Sequence, residues 1–403
     1  MEKIILWGVG RFGANAFTKS ILEIKYQIIG YCDVDITKQH TLVNELEVFS
    51  PQEVYELCRE NRVDKIIVMA QKQGTTQVIQ ADLQKNGIEK ACYSYVDIRD
   101  EVENTYLEQV LDEIIFKWNI DYTYFSDIWV ENLMSEVEFW IKDVARASSK
   151  YHDDYVHRCN NKIFNISKDK HYSEMEQFVQ KIESPRIMDI GCGLAPRFGT
   201  QLQNGNVINI DRVDPLAYFY NNINAQFAYD YKVPCKFGMF EYLAQYYDED
   251  SMDVVIVNNA LDHCINPYKA IIEIMHILKP GGRLYMRHGK AEGVNGGYTG
   301  LHQWNLDQSK NNDFIIWNYS NAVNVTEKIS EFAEVKVTCN DTPVRDEQNI
   351  MVVIEKKKDF DLWEYVDKEK EIKDLAHLSQ KLLEFMANQE VNKLFNQWLT
   401  EGK

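Results

Sequence analysis

Hydrophobic and polar residues alternate in two separate stretches of this 403-residue chain. Apolar runs of about four to eight residues bounded by turn residues are typical of buried strands, whereas apolar positions three or four apart are typical of helices. In the first hundred residues this pattern predicts strands at 3–7, 26–31, 65–69 and 90–95. It also predicts three helices, of which the first ends near Glu23 and the others cover 51–61 and 76–86. Strands that alternate with helices in this way predict a parallel sheet with helices on both faces.

The alternation resumes at residue 186, after a stretch that lacks it. Residues 99–180 are rich in acidic and aromatic side chains, and we interpret them as connecting helices that also cover a pocket. Beyond them the predicted strands are 186–190, 207–210, 254–257, 283–287, 334–338 and 350–354, the last two forming a hairpin after a helical segment near 321–332. From about residue 367 onward, apolar side chains at helical spacing predict a tail helix that docks on the body or on a second subunit.

These elements divide the chain into four segments. We predict a Rossmann-like domain at 1–98, a helical connector at 99–180, a second Rossmann-like domain at 181–358 and a helical tail at 359–403. The fold class is therefore α/β, with two doubly wound domains, and the second sheet is expected to have seven strands. A hydrophobic content of 45% is sufficient for more than one core.

Charge and composition then limit the partners. A net charge of −18 disfavours a nucleic-acid partner, because phosphate binding requires a basic stripe. No apolar run is long enough for a signal peptide or a membrane span, which favours a cytoplasmic protein without membrane contact. The eight cysteines lack the paired spacing of zinc sites, so we expect reduced thiols in the core.

A glycine-rich turn follows the first strand. Gly8, Gly10 and Gly13 have the spacing of the dinucleotide fingerprint, in which glycines permit a tight turn and close approach to a pyrophosphate. Asp33 ends the second strand, at the position from which a carboxylate accepts hydrogen bonds from a ribose. Nothing after this unit resembles a hydride-transfer site. Nucleotide binding, a purely structural fold and an NAD-dependent oxidoreductase are therefore all open.

A second glycine run follows the strand at 186–190. Asp189, Gly191 and Gly193 form the pattern Asp-x-Gly-x-Gly, and glycines directly after a strand let a ligand approach the backbone closely. The next predicted strand is followed by Asp211 and Asp214, either of which could hold ribose hydroxyls through charge-assisted hydrogen bonds. Strand geometry favours Asp211, and the local sequence favours Asp214.

Further polar residues follow in the same order along the chain. Phe240 and Glu241 precede an apolar strand, and the backbone there and the Phe240 ring are placed to hold the base of a nucleoside. The strand at 254–257 is followed by Asn259, Asp262 and His263. In open α/β sheets, ligands bind at the carboxyl ends of the strands. The sequence therefore predicts one ligand site at this edge of the second sheet.

The order of these motifs in residues 186–355 resembles that of class I S-adenosylmethionine (AdoMet)-dependent methyltransferases, over somewhat under half of the chain. Within that class, residues 138–140, 213–217, 259–263 and 300–305 are similar to a type-11-like bacterial group often associated with surface-polysaccharide or secondary-metabolite genes. The resemblance implies AdoMet as methyl donor and a methyltransferase enzyme. Family members commonly have an acid where this chain has Met239, so the adenine contact is expected from Glu241 or from backbone. Residues 1–98 look like the truncated Rossmann domain attached to many sugar-modifying enzymes.

Methyl transfer to a hydroxyl requires an aligned acceptor and a group that removes its proton, because the sulfonium donor is already activated. The candidate bases are His263, His302, His288 and Asp262. Histidine suits this role because its pKa lies near neutrality. Alternatively, His263 caps a helix and His302 packs on a neighbouring tryptophan. No metal site is assigned, because the spacing shows no metal motif; a metal-dependent variant with Asp262 and the histidines as ligands is an open alternative, since these ligand types suit a divalent ion.

Residues 291–320 look like an insertion positioned over the donor, and substrate contacts are expected there and in the connector. The candidates are Glu292, Trp304, Tyr155 and Arg158. The predicted function is O-methylation of a small polar acceptor such as a sugar or nucleotide-linked sugar, by a monomer or a homodimer. An N-methyltransferase and a non-catalytic scaffold with a degenerate methyltransferase fold are the alternatives. Enzymes that methylate nucleic-acid bases usually end the fourth strand in Asn/Asp-Pro-Pro-aromatic, which residues 258–261 do not match.

Overall fold

The computed structural model describes residues 1–10, 13–14, 16–69, 74–164, 170–195, 197–227, 234–344 and 347–401. Residues 11 and 12 of the first glycine-rich turn therefore lie outside the described residues. The chain separates into two compact units, Met1–Ile115 and Phe116–Lys403. The finer division into four segments stays a prediction.

The first unit is a six-stranded sheet with helices. Its strands are β1 (Glu2–Trp7), β2 (Tyr26–Cys32), β3 (Leu42–Val43), β4 (Leu46–Phe49), β5 (Lys65–Val68) and β6 (Ala91–Ser94). Its helices are α1 (Ala16–Glu23), α2 (Pro51–Arg59), α3 (Thr75–Lys85) and α4 (Tyr95–Glu113). The strand order is β3-β4-β2-β1-β5-β6, and β1 pairs in parallel with β2 and β5. The predicted parallel sheet is confirmed for β1, β2, β4, β5 and β6, and β3 pairs antiparallel with β4 at its edge.

Local sequence explains where α2 begins. The Ser50 side chain accepts a hydrogen bond from the Glu53 amide, and the Glu53 carboxylate accepts one from the Ser50 amide. This reciprocal cap satisfies two amide groups that the first helical turn leaves without partners. Pro51 at the first helical position has a fixed φ that suits the helix.

The second unit contains the longer set of elements. Its helices are α5 (Tyr122–Phe139), α6 (His152–Asn160), α7 (Lys170–Val179), α8 (Ala217–Gln226), α9 (Pro267–Ile277), α10 (Glu292–Asn295), α11 (Val325–Lys328), α12 (Lys368–Ala387) and α13 (Gln389–Thr400). Its strands are β7 (Arg186–Ile190), β8 (Asn209–Val213), β9 (Met252–Asn258), β10 (Leu278–Gly289), β11 (Asn305–Gln308), β12 (Phe314–Trp317), β13 (Ala322–Asn324), β14 (Ala333–Val344) and β15 (Glu347–Lys356). A π-helical turn, Trp140–Ala145, extends α5.

The main sheet of this unit has the order β14-β15-β10-β9-β7-β8. Strands β10, β9, β7 and β8 are parallel, and β15 is antiparallel to both β10 and β14. The central strand β9 is buried along almost its whole length. This arrangement confirms the predicted α/β class and aligns the carboxyl ends of β7, β8 and β9.

The prediction of seven strands is wrong for the described residues, which form six. Beside β8, Val213 makes an isolated parallel bridge with Lys236, in the place where a seventh strand would pair. Pro234 has no amide hydrogen to give to a ladder, and a 3-10 helix begins at Phe240. Among the described residues of this segment, pairing beside β8 is limited to that one bridge.

Two further predictions of element position need correction. Strand β8 begins at Asn209 rather than at 207 and runs to Val213, because Val207 is exposed and pairs only with Gln201. Asp211 consequently lies inside the strand. The predicted insertion at 291–320 contains α10, β11 and β12, and β13 follows within the segment predicted to be helical.

The tail helices pack on the second unit itself. Leu378 of α12 and the α13 side chains Phe395 and Trp398 are buried in one hydrophobic cluster with α5. The Arg146 guanidinium donates to the Trp398 carbonyl, 2.9 Å away. Among the described residues, no helix combines the length and the apolar character that a membrane span requires.

Candidate active site

A cavity opens at the carboxyl ends of β7, β8 and β9 in the second unit. The loop after β7 contributes Gly191 and Gly193, the residue after β8 is Asp214, and the residue after β9 is Asn259. Its lining also includes Phe240 and Glu241, which precede β9 in the chain. The predicted ligand edge of the sheet therefore carries a cavity.

The first glycine of the loop after β7 is required by its surroundings. Gly191 has φ +65°, and a Cβ there would lie 2.5 Å from the Ala260 Cβ and 2.9 Å from the Phe240 ring. Both the left-handed backbone and this close approach favour glycine. The Gly193 amide donates to Asp214 Oδ2 at 3.1 Å, so the loop is fixed to the end of β8.

The structure distinguishes the two candidate ribose ligands. Asp214 lines the cavity, and its carboxylate also accepts a hydrogen bond from the Leu216 amide at 2.9 Å. Burial raises the pKa of Asp214 to about 7. Asp211 does not line the cavity but a recess elsewhere on the sheet, and its carboxylate is paired with the Lys236 ammonium. The expectation from strand geometry that favoured Asp211 is therefore corrected, because β8 extends past that residue.

A second buried carboxylate, that of Asp189, also lines the cavity. Asp189 is 2% exposed, and burial raises its pKa to about 6 although the Arg212 guanidinium lowers it. The Arg212 Nη1 atom lies 3.7 Å from Asp189 Oδ2. Asp189 and Asp214 are thus two buried carboxylates in the lining of the cavity, which also includes the cationic side chains of Arg158 and Arg197.

The remaining predicted cofactor residues line the cavity and also hold its walls. One oxygen of the buried Glu241 accepts hydrogen bonds from the Ile265 and Asn266 amides, at 2.7 and 3.1 Å. The Asn259 Oδ1 atom accepts one from the Gly289 amide at 2.8 Å. These contacts position the loops after β9 and β10, while the Phe240 ring packs at Gly191.

Three histidines surround one buried carboxylate. Asp262 is fully buried, and its Oδ2 atom lies 2.6 Å from His302 Nδ1 and 3.7 Å from His263 Nε2. Its Oδ1 atom lies 2.8 Å from His288 Nε2. The rings of His263 and His302 meet edge to face, with Nε2 and Nδ1 3.3 Å apart. We refer to Asp262, His263 and His302 as the histidine cluster.

Burial and charge act in opposite directions on these groups. Burial lowers the pKa of His302, but the Asp262 carboxylate outweighs it and raises that pKa to about 9. For His263, burial prevails and the pKa is lowered. For His288, burial is outweighed by Asp262 and the pKa is raised. The pKa of Asp262 lies well below its usual range, because the three imidazoles outweigh its burial.

A second cavity adjoins the first, and Glu136, Trp140 and His263 line both. Three of the predicted catalytic and substrate residues, His302, Glu292 and Tyr155, line the second cavity only. Arg158, which pairs with Asp154 at 2.6 Å, lines both. His263 therefore lies at the junction of the two cavities. A donor in the first and an acceptor in the second would meet there.

Several predicted residues do not reach either cavity. His288 and Asp262 are buried, and Asp262 contacts the half-buried imidazole of His302. Trp304 is also fully buried; its ring packs on Trp118 and Phe125, and its indole donates to the Cys264 carbonyl at 2.9 Å. The prediction of Trp304 as a substrate contact is therefore wrong, because the residue belongs to the core.

Sequence reasoning missed one face of α5. Trp129, Leu133, Glu136 and Trp140 all line the first cavity, and their spacing of four, three and four residues places them on one helix face. The Trp140 indole donates to Glu136 Oε1 at 2.7 Å. The helical spacing of these residues in the sequence is the signal that identifies this face, whereas the sequence analysis predicts only connecting helices that cover a pocket. Arg197, in the loop after β7, was also missed.

In the first unit, the predicted nucleotide-type residues lie together. A Cβ on Gly13 would lie 1.9 Å from the Gly8 carbonyl oxygen, and Gly10 has open space around it. The Asp33 carboxylate accepts hydrogen bonds from the Val9 amide at 2.8 Å and the Lys38 ammonium at 3.2 Å. The Val9 amide and the Lys38 ammonium thus occupy the hydrogen-bonding position on Asp33 at which ribose hydroxyls are predicted. Nucleotide binding by this unit stays a prediction.

Comparison with known proteins gives a match for part of the second unit. Residues 188–286 match the family model described as a methyltransferase domain. These residues include part of β7, all of β8 and β9, and most of β10, with the loops that line the first cavity. The search of curated proteins found no match.

Solved structures show low similarity. A SAM-dependent methyltransferase from Methanosarcina mazei is 14% identical, with 47% of this chain and 99% of that chain covered and a TM-score of 0.32. The CurJ carbon methyltransferase is 15% identical, with 45% and 51% covered and a TM-score of 0.32, so this chain spans about half of its length. The UDP-D-quinovosamine 4-dehydrogenase from Vibrio fischeri is 19% identical, with 22% and 75% covered and a TM-score of 0.20.

Proposed function

We propose that this protein methylates a hydroxyl oxygen of a small, sugar-like acceptor. The premise is that the chain carries a class I AdoMet-dependent methyltransferase domain and uses AdoMet as methyl donor. The observation that carries this proposal is the position of His263 at the junction of two cavities. One cavity has the motif residues of the donor site. The other contains space for an acceptor beside two imidazoles.

The first cavity suits the donor. In the proposed arrangement, the Asp214 carboxylate accepts hydrogen bonds from the ribose hydroxyls, and Phe240 packs on the adenine. Above about pH 7 the Asp214 carboxylate is charged, and this charge favours a cationic donor in the same cavity. Backbone at Gly191 and Gly193 permits the close approach that the ligand requires.

The histidine cluster provides the chemistry at the acceptor oxygen. As the acceptor oxygen forms a bond to the methyl carbon, the bond between that carbon and the sulfonium sulfur breaks. The hydroxyl proton passes to the imidazole of His263, and the products are a methyl ether and S-adenosylhomocysteine. Asp262 fixes the orientation of the neighbouring imidazole through its 2.6 Å contact with His302, and it stabilises the positive charge that proton uptake creates.

The second cavity suits a polyhydroxylated ring. Its lining combines aromatic side chains with carboxylates, namely Phe139, Trp140, Tyr151, Glu136, Asp154 and Glu292. Aromatic rings pack against the C–H face of a sugar, while carboxylates accept hydrogen bonds from its hydroxyls. We further propose that the protein belongs to a polysaccharide-associated group, acts in the cytoplasm and has no nucleic-acid partner. Both a monomer and a homodimer are compatible with it.

The proposal is tested by incubating purified protein with AdoMet labelled in its methyl group and a panel of free and nucleotide-linked sugars. We expect label in at least one acceptor, with mass spectrometry and NMR locating it on oxygen. Label on nitrogen would favour the alternative of an N-methyltransferase. Donor binding without transfer to any member of a broad panel would contradict the sugar assignment.

A variant pair tests the role of the cluster. His263→Ala should lower kcat by roughly 100-fold or more, the scale of lost proton transfer, while the affinity for AdoMet stays within a fewfold. His157→Ala, an exposed histidine on α6 that does not line either cavity, is the matched control. Equal activity of both variants would remove His263 from the mechanism.

A further inference from the structure

We infer that Asp262, His263 and His302 form a binding site for a divalent transition-metal ion of the zinc or manganese type. The fold brings one carboxylate oxygen and two imidazole nitrogens within 4.8 Å of one another. Metal binding at this site goes beyond the proposed function. Activation of the acceptor hydroxyl by the bound ion rests on that function.

The distances between the ligand atoms fit a small divalent ion. Asp262 Oδ2 lies 2.6 Å from His302 Nδ1 and 3.7 Å from His263 Nε2, and the two nitrogens are 3.3 Å apart. Ligand bonds of about 2.0–2.2 Å place neighbouring ligand atoms roughly 3.0–3.5 Å apart. The three observed distances lie around this range, so an ion could bind with shifts of about half an ångström in the side chains.

The carboxylate is held as a metal ligand requires. Asp262 is fully buried, and its other oxygen lies 2.8 Å from His288 Nε2. The Nδ1 atom of His288 lies in turn 3.0 Å from the Gly289 carbonyl oxygen. Such outer contacts fix the orientation of a ligating carboxylate and typically contribute 10- to 100-fold to metal affinity. This explains why the buried His288 contacts Asp262 without reaching a cavity.

The site has room for further ligands on one side. His263 and His302 line the second cavity, whereas Asp262 closes the site from the protein interior. Glu136 and Glu292 line the same cavity, and their negative charge favours a cation there. Two imidazoles with one carboxylate suit zinc, iron or manganese better than magnesium or calcium, which prefer oxygen ligands alone. Three protein ligands with open positions are typical of catalytic rather than structural metal sites.

An ion at this position would act on the acceptor oxygen. A hydroxyl bound to a divalent cation loses its proton more readily, and that proton would leave to solvent because the imidazoles then serve as ligands. The O–C bond would form as the S–C bond breaks, as in the metal-free reaction. The ion would therefore replace His263 as the group that activates the hydroxyl.

The binding claim is tested with tag-free, full-length protein that has been treated with chelator and dialysed. Titration calorimetry with Zn²⁺ and Mn²⁺, together with elemental analysis after gel filtration, should give one tightly bound ion per chain. His302→Ala and Asp262→Asn should each weaken binding by roughly 100-fold or more, and His157→Ala should leave it unchanged. Circular dichroism and AdoMet affinity identify any variant that fails to fold.

Failure of this inference is distinct from failure of the proposed function. Substoichiometric or weak binding, or equal binding by His302→Ala and wild type, would overturn the metal site. Full methyl transfer by the chelated protein would show that His263 acts without an ion, leaving O-methylation intact. Stoichiometric binding with no transfer to any sugar would support the metal site and contradict the acceptor assignment.

Discussion

At the scale of single residues, the cavity distinguishes two aspartates only three positions apart. Asp214 lines the donor cavity and Asp211 does not. Asp214→Asn should weaken AdoMet binding by roughly 10- to 100-fold, since a hydrogen bond to a charged group contributes about 1.5–3 kcal/mol. Asp211→Asn should change it less than threefold. Equilibrium dialysis with labelled AdoMet measures both, and the reverse order would return the ribose contact to Asp211.

The same residue predicts a pH dependence of donor binding. Burial raises the pKa of Asp214 to about 7, so the side chain is neutral below that pH and charged above it. AdoMet affinity should therefore increase from pH 6 to pH 8. The other carboxylates near Asp214 are Glu136 and Asp189, and the pKa of Asp189 is about 6. Asp214→Asn should remove the component near pH 7; persistence of that component in the variant would assign it elsewhere.

At the scale of elements, α5 forms a wall of both cavities with one face. Glu136→Gln should lower kcat/KM for the acceptor by roughly tenfold, because a carboxylate acceptor of hydrogen bonds becomes neutral. Glu138→Gln is the matched control, since Glu138 lies two positions away and pairs with Lys142. Steady-state kinetics at saturating AdoMet compare the two variants. A similar loss in both would indicate a general effect on the helix.

Pattern and spacing predicted the elements better than their edges. Apolar runs placed β7 and β9, because a buried strand must be apolar along its length. The seventh strand is absent from the described residues, where a single bridge between Val213 and Lys236 pairs beside β8, and periodicity does not reveal whether such a bridge extends into a ladder. The end of β8 was misplaced for a similar reason, and this shifted the preference between Asp211 and Asp214.

The candidate site was predictable only where its residues are close in sequence. The sequence predicts Asp262, His263 and His302 as candidate bases, but the contact of His302 with the Asp262 carboxylate depends on how the segment after β10 folds. Trp304 follows His302 by two positions yet points into the core. Its burial against α5 is a tertiary contact that local sequence does not report. By contrast, the face of α5 that lines the first cavity can be recognised in the sequence from the helical spacing of its residues.

At the scale of the whole molecule, two units share the α/β class, but the family match lies in the second. In the first, Asp33→Asn should lower stability by about 1–3 kcal/mol, because the carboxylate accepts hydrogen bonds from Val9 and Lys38. Asp35→Asn, at an exposed site bonded to Thr37, is the control. Thermal unfolding and AdoMet titration compare them. A large loss of donor affinity in Asp33→Asn would link the first unit to methyl transfer.

The central claim is that AdoMet binds in the cavity after β7 and β8. Calorimetric titration of wild type and Gly191→Val with AdoMet tests it most directly, because a side chain at position 191 would meet Ala260 and Phe240. We predict one saturable site per chain in wild type and no measurable binding in a folded Gly191→Val variant. Absence of saturable binding in wild type at millimolar AdoMet, or equal binding by both proteins, would contradict the account.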